Sequence, residues 1–382
     1  MLRESHRFFR CRLSRVLLFL VQVLLIGMVI EFFFMPPVFA ADTDLTLHPL
    51  YSTYMFNRDG KHIYFGTQPF SAPEGIIGEV MSHDAILKRN LKKLGIEIVF
   101  YPFFNGPDIN FFMKQDKLDM AISGDMPTLA IAAEDKAIIT GIAKLLNASI
   151  VTRRKFGHLL DLKGMRIGVP VGTSAHLGLL TVLAAANMTN SDVQIVPMRI
   201  GELTAALEEN RIAAFSAWEP TPSAALTRNK DFVVIHRFLN SSYLYQSKLF
   251  AERNPEASLQ LHASFLRALR WMNESVQNMQ KGAEWAAQTV EKRLGKKLNL
   301  TPDQIASIAN EGIDLFARFP TIPRSDFRQN GFLFKAFNFL NENGKLPAES
   351  SWEKILRNMD SRILRTLLAQ QQAYDLDSYE PD

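Results

Sequence analysis

The sequence predicts an α/β protein of two lobes, each a sheet with helices on both faces, followed by a helical C-terminal part. Three observations predict it. Strand-like runs alternate with helical spacing through residues 62–123. The same alternation starts again near residue 150, and from Pro255 onward almost everything reads as helix. Alternation of this kind marks a sheet with helices on its faces.

In the first block, His62–Gly66 is a short strand that stops at the turn Gly66-Thr67-Gln68-Pro69. Gly78–Leu94 has helical spacing, with Val80, Ile86, Leu87, Leu91 and Leu94 on one face and Gly95 as its stop. Ile96–Phe100 is a strand, Asp108–Gln115 a helix and Met120–Ser123 a short buried strand. In the second block Ile150–Thr152 is a strand, and the basic stretch Arg153–His158 reads as a crossing between lobes. Arg166–Val169 follows as a strand, Ser174–Ala186 as an apolar helix, Val193–Val196 as a strand and Ile200–Glu208 as a helix. Ala213–Ala217 is a further strand, and Val233–Ile235 with Ser242–Leu249 make the return. Leu259–Val276, Gly282–Leu294, Pro302–Phe316 and Trp352–Gln372 read as helices. The expected division is residues 42–152 plus 246–350 for lobe 1, 153–245 for lobe 2, and 351–382 as a C-terminal helix and acidic tail.

Length and composition agree with two lobes. A chain of 382 residues with 47% apolar and 21% charged residues can bury a sizeable core. The net charge of +4 is uneven, since residues 1–40 carry five arginines against two glutamates and leave about +1 for the rest. That excludes the basic folded surface of a nucleic-acid protein. The single cysteine, Cys11, lies in the same leader, so the remainder has no disulfide, zinc-thiolate or iron–sulfur site.

The leader itself reads as a secretory signal. Its basic start, the uncharged run Val16–Ile30 and the small-x-small end Val38-Phe39-Ala40 predict cleavage after Ala40 and a periplasmic protein. The alternative is an N-terminal membrane anchor, which Glu31 near the middle of the apolar stretch makes costly.

Ligands of open α/β sheets sit beyond the carboxyl ends of strands, which directs attention to four post-strand turns. The first holds Gln68, which offers both a donor and an acceptor. The second is Gly124-Asp125-Met126-Pro127, where Asp125 can hold a ligand ammonium, cap a helix or tie its own turn. In the third, Thr173 or Ser174 can cap a helix whose free N–H groups and dipole suit an anion, and His176 can donate to that anion or pack. The fourth is Trp218-Glu219-Pro220, where Trp218 can stack on a ligand or fill a core. No phosphate-binding loop, dinucleotide fingerprint, zinc-helix motif or nucleophile elbow occurs, and the eight histidines make no i, i+4 pair.

Taken together, these stretches resemble one family. Phe104-Asn105-Gly106-Pro107, Lys117–Ile122, Gly124-Asp125-Met126-Pro127, Leu160–Val169, Gly172–His176, Ala214–Pro220 and Phe250–Glu256 resemble, in order, the substrate-binding proteins of ABC importers of the nitrate/sulfonate/taurine type. Glu219 stands where that family usually has Asp.

The resemblance implies a type II periplasmic-binding-protein fold with two interlobe crossings, and a non-enzymatic protein that captures a small organic or inorganic anion for a membrane permease. It implies that Gln68, Gly124, Asp125, Thr173, Ser174, His176 and Trp218 line the cleft. Met126 and Glu219 join them as candidate ligand contacts, and Phe70, Phe103 and Phe104 as apolar walls. The implied partners are the ligand and the permease, with no nucleic acid, no metal and no cofactor, and the protein is expected as a monomer. The alternatives are a membrane-tethered sensor of the same fold and a binder of a pyrimidine-type precursor. Pyrimidine-precursor synthases of similar fold carry a cysteine-rich iron motif, which this sequence lacks.

Overall fold

A computed structural model of the chain describes residues 44–57 and 59–382, so the expected signal sequence lies outside the described residues. Two units are distinguished, Met1–Ser52 and Thr53–Asp382. The described part of the first contains the 3-10 turn Leu45–Leu47, capped by the Asp44 carboxylate accepting from the Thr46 amide, and the start of a second, Tyr51–Thr53.

The second unit is built on one eight-stranded sheet: β1 (His62–Thr67), β2 (Glu97–Pro102), β3 (Met120–Gly124), β4 (Ala137–Arg153), β5 (Arg166–Val169), β6 (Gln194–Pro197), β7 (Ala214–Trp218) and β8 (Phe232–Ser247). Their order is β2-β1-β3-β8-β4-β7-β5-β6. The strands β1, β2 and β3 are parallel to one another, as are β5, β6 and β7. The long strands β4 and β8 pair antiparallel in the middle and join the two groups. The two crossings are therefore sheet strands of 17 and 16 residues, where the sequence pattern shows only Ile150–Thr152, Val233–Ile235 and Ser242–Leu249. Register shifts near Gly141 and Lys144 break the apolar alternation that would have marked β4.

The helices are α1 (Glu74–Ser82), α2 (Ala85–Lys93), α3 (Gly106–Lys114), α4 (Asp125–Ala133), α5 (Ser174–Ala185), α6 (Leu203–Glu208), α7 (Thr221–Arg228), α8 (Lys248–Arg253), α9 (Pro255–Glu274), α10 (Val276–Leu294), α11 (Pro302–Ile313), α12 (Phe332–Glu342), α13 (Trp352–Arg357) and α14 (Arg362–Ala369). The expected single helix Gly78–Leu94 is two. Asp84 interrupts it, and its carboxylate accepts from the Ile86 and Leu87 amides as the N-cap of α2. Trp352–Gln372 likewise divides into α13 and α14.

The core lies between the β1–β3 side of the sheet and the helices around it. Phe65, Met120, Ile122, Ile139 and Leu244 from strands meet Ile76 and Val80 of α1, Leu261, Phe265 and Leu269 of α9, and Ala283 and Ala286 of α10. On the other side α5 rests on β8 at Gly178, where a Cβ would come within 2.0 Å of the Phe238 ring. That approach requires glycine and fixes the height of the α5 N-terminus over the sheet.

One core-facing carboxylate gives a pH signature. Glu79 of α1 is buried, and burial pushes its pKa from 4.5 up to about 7 against opposing help from Thr289 and Arg293. A raised pKa adds stability below the unfolded value and loses it as the pH rises through 7. The amount is roughly 3 kcal/mol. Glu79→Gln is expected to remove this loss, so its urea midpoint should gain on that of the wild type between pH 5 and pH 8. A constant difference across that range contradicts the assignment.

Candidate functional site

The register of the two long strands locates the site. The end of β3, Gly124, is level with Ser242 and through it with Lys144; the end of β7, Trp218, is level with Ala148. Because β3 and β7 run in opposite directions, their carboxyl ends face each other across four residues of β4, roughly 13 Å. The second, third and fourth turns thus converge over one stretch of β4 and β8. The first turn joins them, since the Ala72 amide donates to the Glu219 carbonyl at 3.2 Å.

Ser174 and Gly124 lie side by side, with a Cβ on Gly124 falling 3.3 Å from the Ser174 hydroxyl. Ser174 is the first residue of α5, and its N-cap, Thr173, gives no side-chain cap. The Thr173 hydroxyl instead donates to the Pro170 carbonyl at 2.6 Å, so it serves the turn rather than the helix end. The Ser216 hydroxyl of β7 donates to the Ala175 carbonyl at 2.8 Å and ties the start of α5 to the sheet.

Asp125 is fully buried and is the first residue of α4. Its carboxylate accepts from the Met126 amide and from the Ser241 amide and hydroxyl. Burial raises its pKa to about 6 against the lowering effect of those bonds, of Ser174 and of Lys144. Of the roles open to it, tying its own turn to β8 is the one these contacts describe. The Met126 side chain, on the first turn of the same helix, is fully buried in the hydrophobic core. Phe103 is likewise buried against Tyr54 and Phe112.

Phe70 stacks on Phe104 with centroids 5.9 Å apart, and Phe104 lies under the Arg199 guanidinium. Phe70 also borders a small cavity of about 90 Å³, shared with Ile200, Ala205, Pro220 and Ala224. Gln68 is buried, and its carbonyl accepts from the Ser71 amide. Glu219 accepts from the Ser223 amide at the start of α7, and burial raises its pKa.

His176 turns to a different neighbour. Its Nδ1 accepts from the Gly172 amide at 3.5 Å, and its ring stands edge-on to Phe339 of α12. Burial and then Lys345 lower its pKa to about 4, so it is neutral at pH 7. Packing, rather than donation to an anion, accounts for these contacts.

Several polar groups at the same level were not legible in the turns. Lys144 Nζ is 2.7 Å from Glu74 Oε1, and both side chains are at most 3% exposed. Ser71 and Ser242 hydroxyls donate to the same carboxylate. Trp218 Nε1 and Asn240 Oδ1 are buried without a hydrogen-bond partner. Trp218 is level with Ala148 and hence with Phe238, two residues before Asn240, so both residues face the same side of the sheet. An unmatched buried donor and acceptor there are open to a ligand.

Residues 91–275 match the family model described as NMT1/THI5 like. A binding protein of Brucella abortus (strain 2308) is 30% identical over 176 residues, 44% of this chain and 54% of that protein. The chain thus spans about half the length of such relatives. A protein of Escherichia coli (strain K12) named for binding aliphatic sulfonates is 25% identical over 193 residues, covering 47% and 59% of the two chains.

Among solved structures, the periplasmic aliphatic sulphonate binding protein SsuA from Escherichia coli aligns with a TM-score of 0.60 at 20% identity, over 81% of this chain and 99% of that one. The fold is therefore that of periplasmic binding proteins. The desulfurization enzyme DSZB shares it, with a TM-score of 0.55, 15% identity and coverage of 81% and 99%. Among the described residues no helix is long and apolar enough to cross a membrane.

Proposed function

We propose that the protein is the exported solute-binding component of an ABC importer, capturing a small anion of the sulfonate or nitrate kind between two lobes and delivering it to a membrane permease. The observation that carries this reading is the meeting of the β3 and β7 ends over Lys144–Ala148. The lobes are taken as residues 42–152 with 246–350 and residues 153–245, hinged on β4 and β8. Of the candidate residues, Gln68, Gly124, Asp125, Thr173, Ser174, Trp218 and Glu219 stay in the proposal. The first four supply or fix backbone, Ser174 and the α5 N–H groups hold the anion, and Trp218 Nε1 is ready to donate to it, while the Asn240 Oδ1 acceptor suits a donor elsewhere on the ligand.

Charge favours a weakly hydrated monoanion. The α5 start has no side-chain cap to compete with a ligand. The one buried lysine nearby, Lys144, is already paired with Glu74, and Asp125 stands beside Ser174, which disfavours a dianion such as phosphate. The cavity of about 90 Å³ beside Phe70 and Pro220 is also lined by Arg228, Lys297 and Asn299, so it suits a polar or anionic group as well as a short tail.

A binding role is favoured over catalysis because the relatives that share sequence with the chain are named for binding. Export, cleavage after Ala40, periplasmic residence and a monomeric state complete the reading.

A thermal-shift screen of small sulfonates, nitrate, phosphonates and pyrimidines tests it. A true ligand at 100 times its Kd adds about 2.7 kcal/mol. With the best ligand in hand, Ser174→Ala is expected to weaken binding about ten- to a hundredfold by calorimetry, the value of one hydrogen bond to a charged group. Unchanged affinity, or a best ligand that is cationic, refutes the anion reading.

A further inference from the structure

A second cavity lies away from the four turns. It has a volume of about 570 Å³ and opens between α9, the segment Ala317–Phe319 and the C-terminal stretch from Leu368 to Tyr379. That size is within the range of small-molecule sites, about 300–1,000 Å³.

Its apolar side is aromatic. Phe319 is 69% exposed at the rim, and Trp271 stacks on Trp285, centroid distance 5.7 Å, and lies tilted against Tyr379, 4.6 Å. Leu376 is buried in the same wall.

The charged side has one cation left over. Arg267 is paired with Asp84, and Arg270 with Asp377 and Gln371. The exposed Arg318 has no ion pair or side-chain hydrogen bond among the described residues. Glu274 and Asp377 also line the cavity, so a second negative charge on an occupant would be repelled.

We propose that this cavity binds a small amphipathic monoanion, with its apolar body against the exposed Phe319 and the edge of Trp271 and its single charge on Arg318. The exposed Phe319 ring supplies apolar contact area and an unpaired guanidinium the orientation. The site is independent of the interlobe reading, because none of its lining residues belongs to the four turns. Its C-terminal wall also lies beyond the family-matched residues 91–275.

The probe is 8-anilinonaphthalene-1-sulfonate, titrated into the full chain by fluorescence and calorimetry. Saturable one-to-one binding is expected, weakened at least tenfold by Arg318→Glu and by Phe319→Ser and unchanged in Ser174→Ala. Both cavity positions are exposed, so the variants should keep the wild-type urea midpoint, which is measured alongside. The absence of saturable binding overturns the proposal, as does affinity kept within twofold in both cavity variants. Loss in Ser174→Ala with no loss in the cavity variants also overturns it, and places the dye between the lobes instead. Failure of the interlobe reading alone leaves the cavity result standing.

Discussion

Lys144→Met is expected to lower stability by about 3–5 kcal/mol, the cost of removing one partner of a buried ion pair. The pair is Lys144 with Glu74, 2.7 Å apart, and neither side chain is more than 3% exposed. Methionine fills most of the lysine volume, so the loss comes from charge rather than from a cavity. It leaves the Glu74 carboxylate with the Ser71 and Ser242 hydroxyls and no cation. The double variant Lys144→Met with Glu74→Gln should recover at least half of the loss, because a neutral amide can keep both hydroxyl contacts. Urea unfolding of the two single variants and the double one closes the cycle. If Lys144→Met unfolds within 1 kcal/mol of the wild type, the pair is not what holds β4 to the start of α1.

The failure to see Lys144 in the sequence shows what local patterns carry. The turns at Gly124, Gly172 and Trp218 are legible because a short apolar run, a glycine or proline and a helix start lie next to one another in the chain. Lys144 sits within a strand, and its partner is 70 residues away on α1. A lysine in an apolar run reads as a break, so most of β4 goes unseen although it is the longest strand. Gly141 and the register shifts add to that effect. Asp84 is a similar case. Its neighbours have continuous helical spacing, yet its carboxylate competes for backbone amides and ends one helix to start the next. Met126 is the reverse case: a turn motif suggests exposure to the cleft, while the helix that begins at Asp125 turns the side chain into the core. The order of strands and turns was legible, and the pairing of distant polar groups was not.

The same distinction between buried and exposed charge predicts how the C-terminal tail is held. Asp84→Ala is expected to cost about 3–5 kcal/mol from the broken ion pair, with about 1 kcal/mol more from the lost cap of α2. Arg267 is 1% exposed, and its Nε and Nη2 donate to Asp84 Oδ2 at 2.9 and 2.7 Å. Its Nη1 donates to the Tyr374 carbonyl at 2.9 Å, which ties the tail to the same guanidinium. The tail then runs back past Asp84, where the Ala85 amide donates to the Glu380 carbonyl and the Asp382 amide to the His83 carbonyl. Loss of Asp84 leaves a buried guanidinium with one carbonyl partner, so the groups that fix Tyr374–Asp382 loosen together. Arg89→Ala is the control. Arg89 bonds Glu380 at 2.9 Å, but both side chains are about half exposed, and solvent and salt screen such a pair so that it contributes little. Thermal unfolding should therefore separate the two variants widely, and limited proteolysis should clip the tail of Asp84→Ala while sparing that of Arg89→Ala. Equal effects in the two variants would mean that the surface pairs, and not the buried one, anchor the tail.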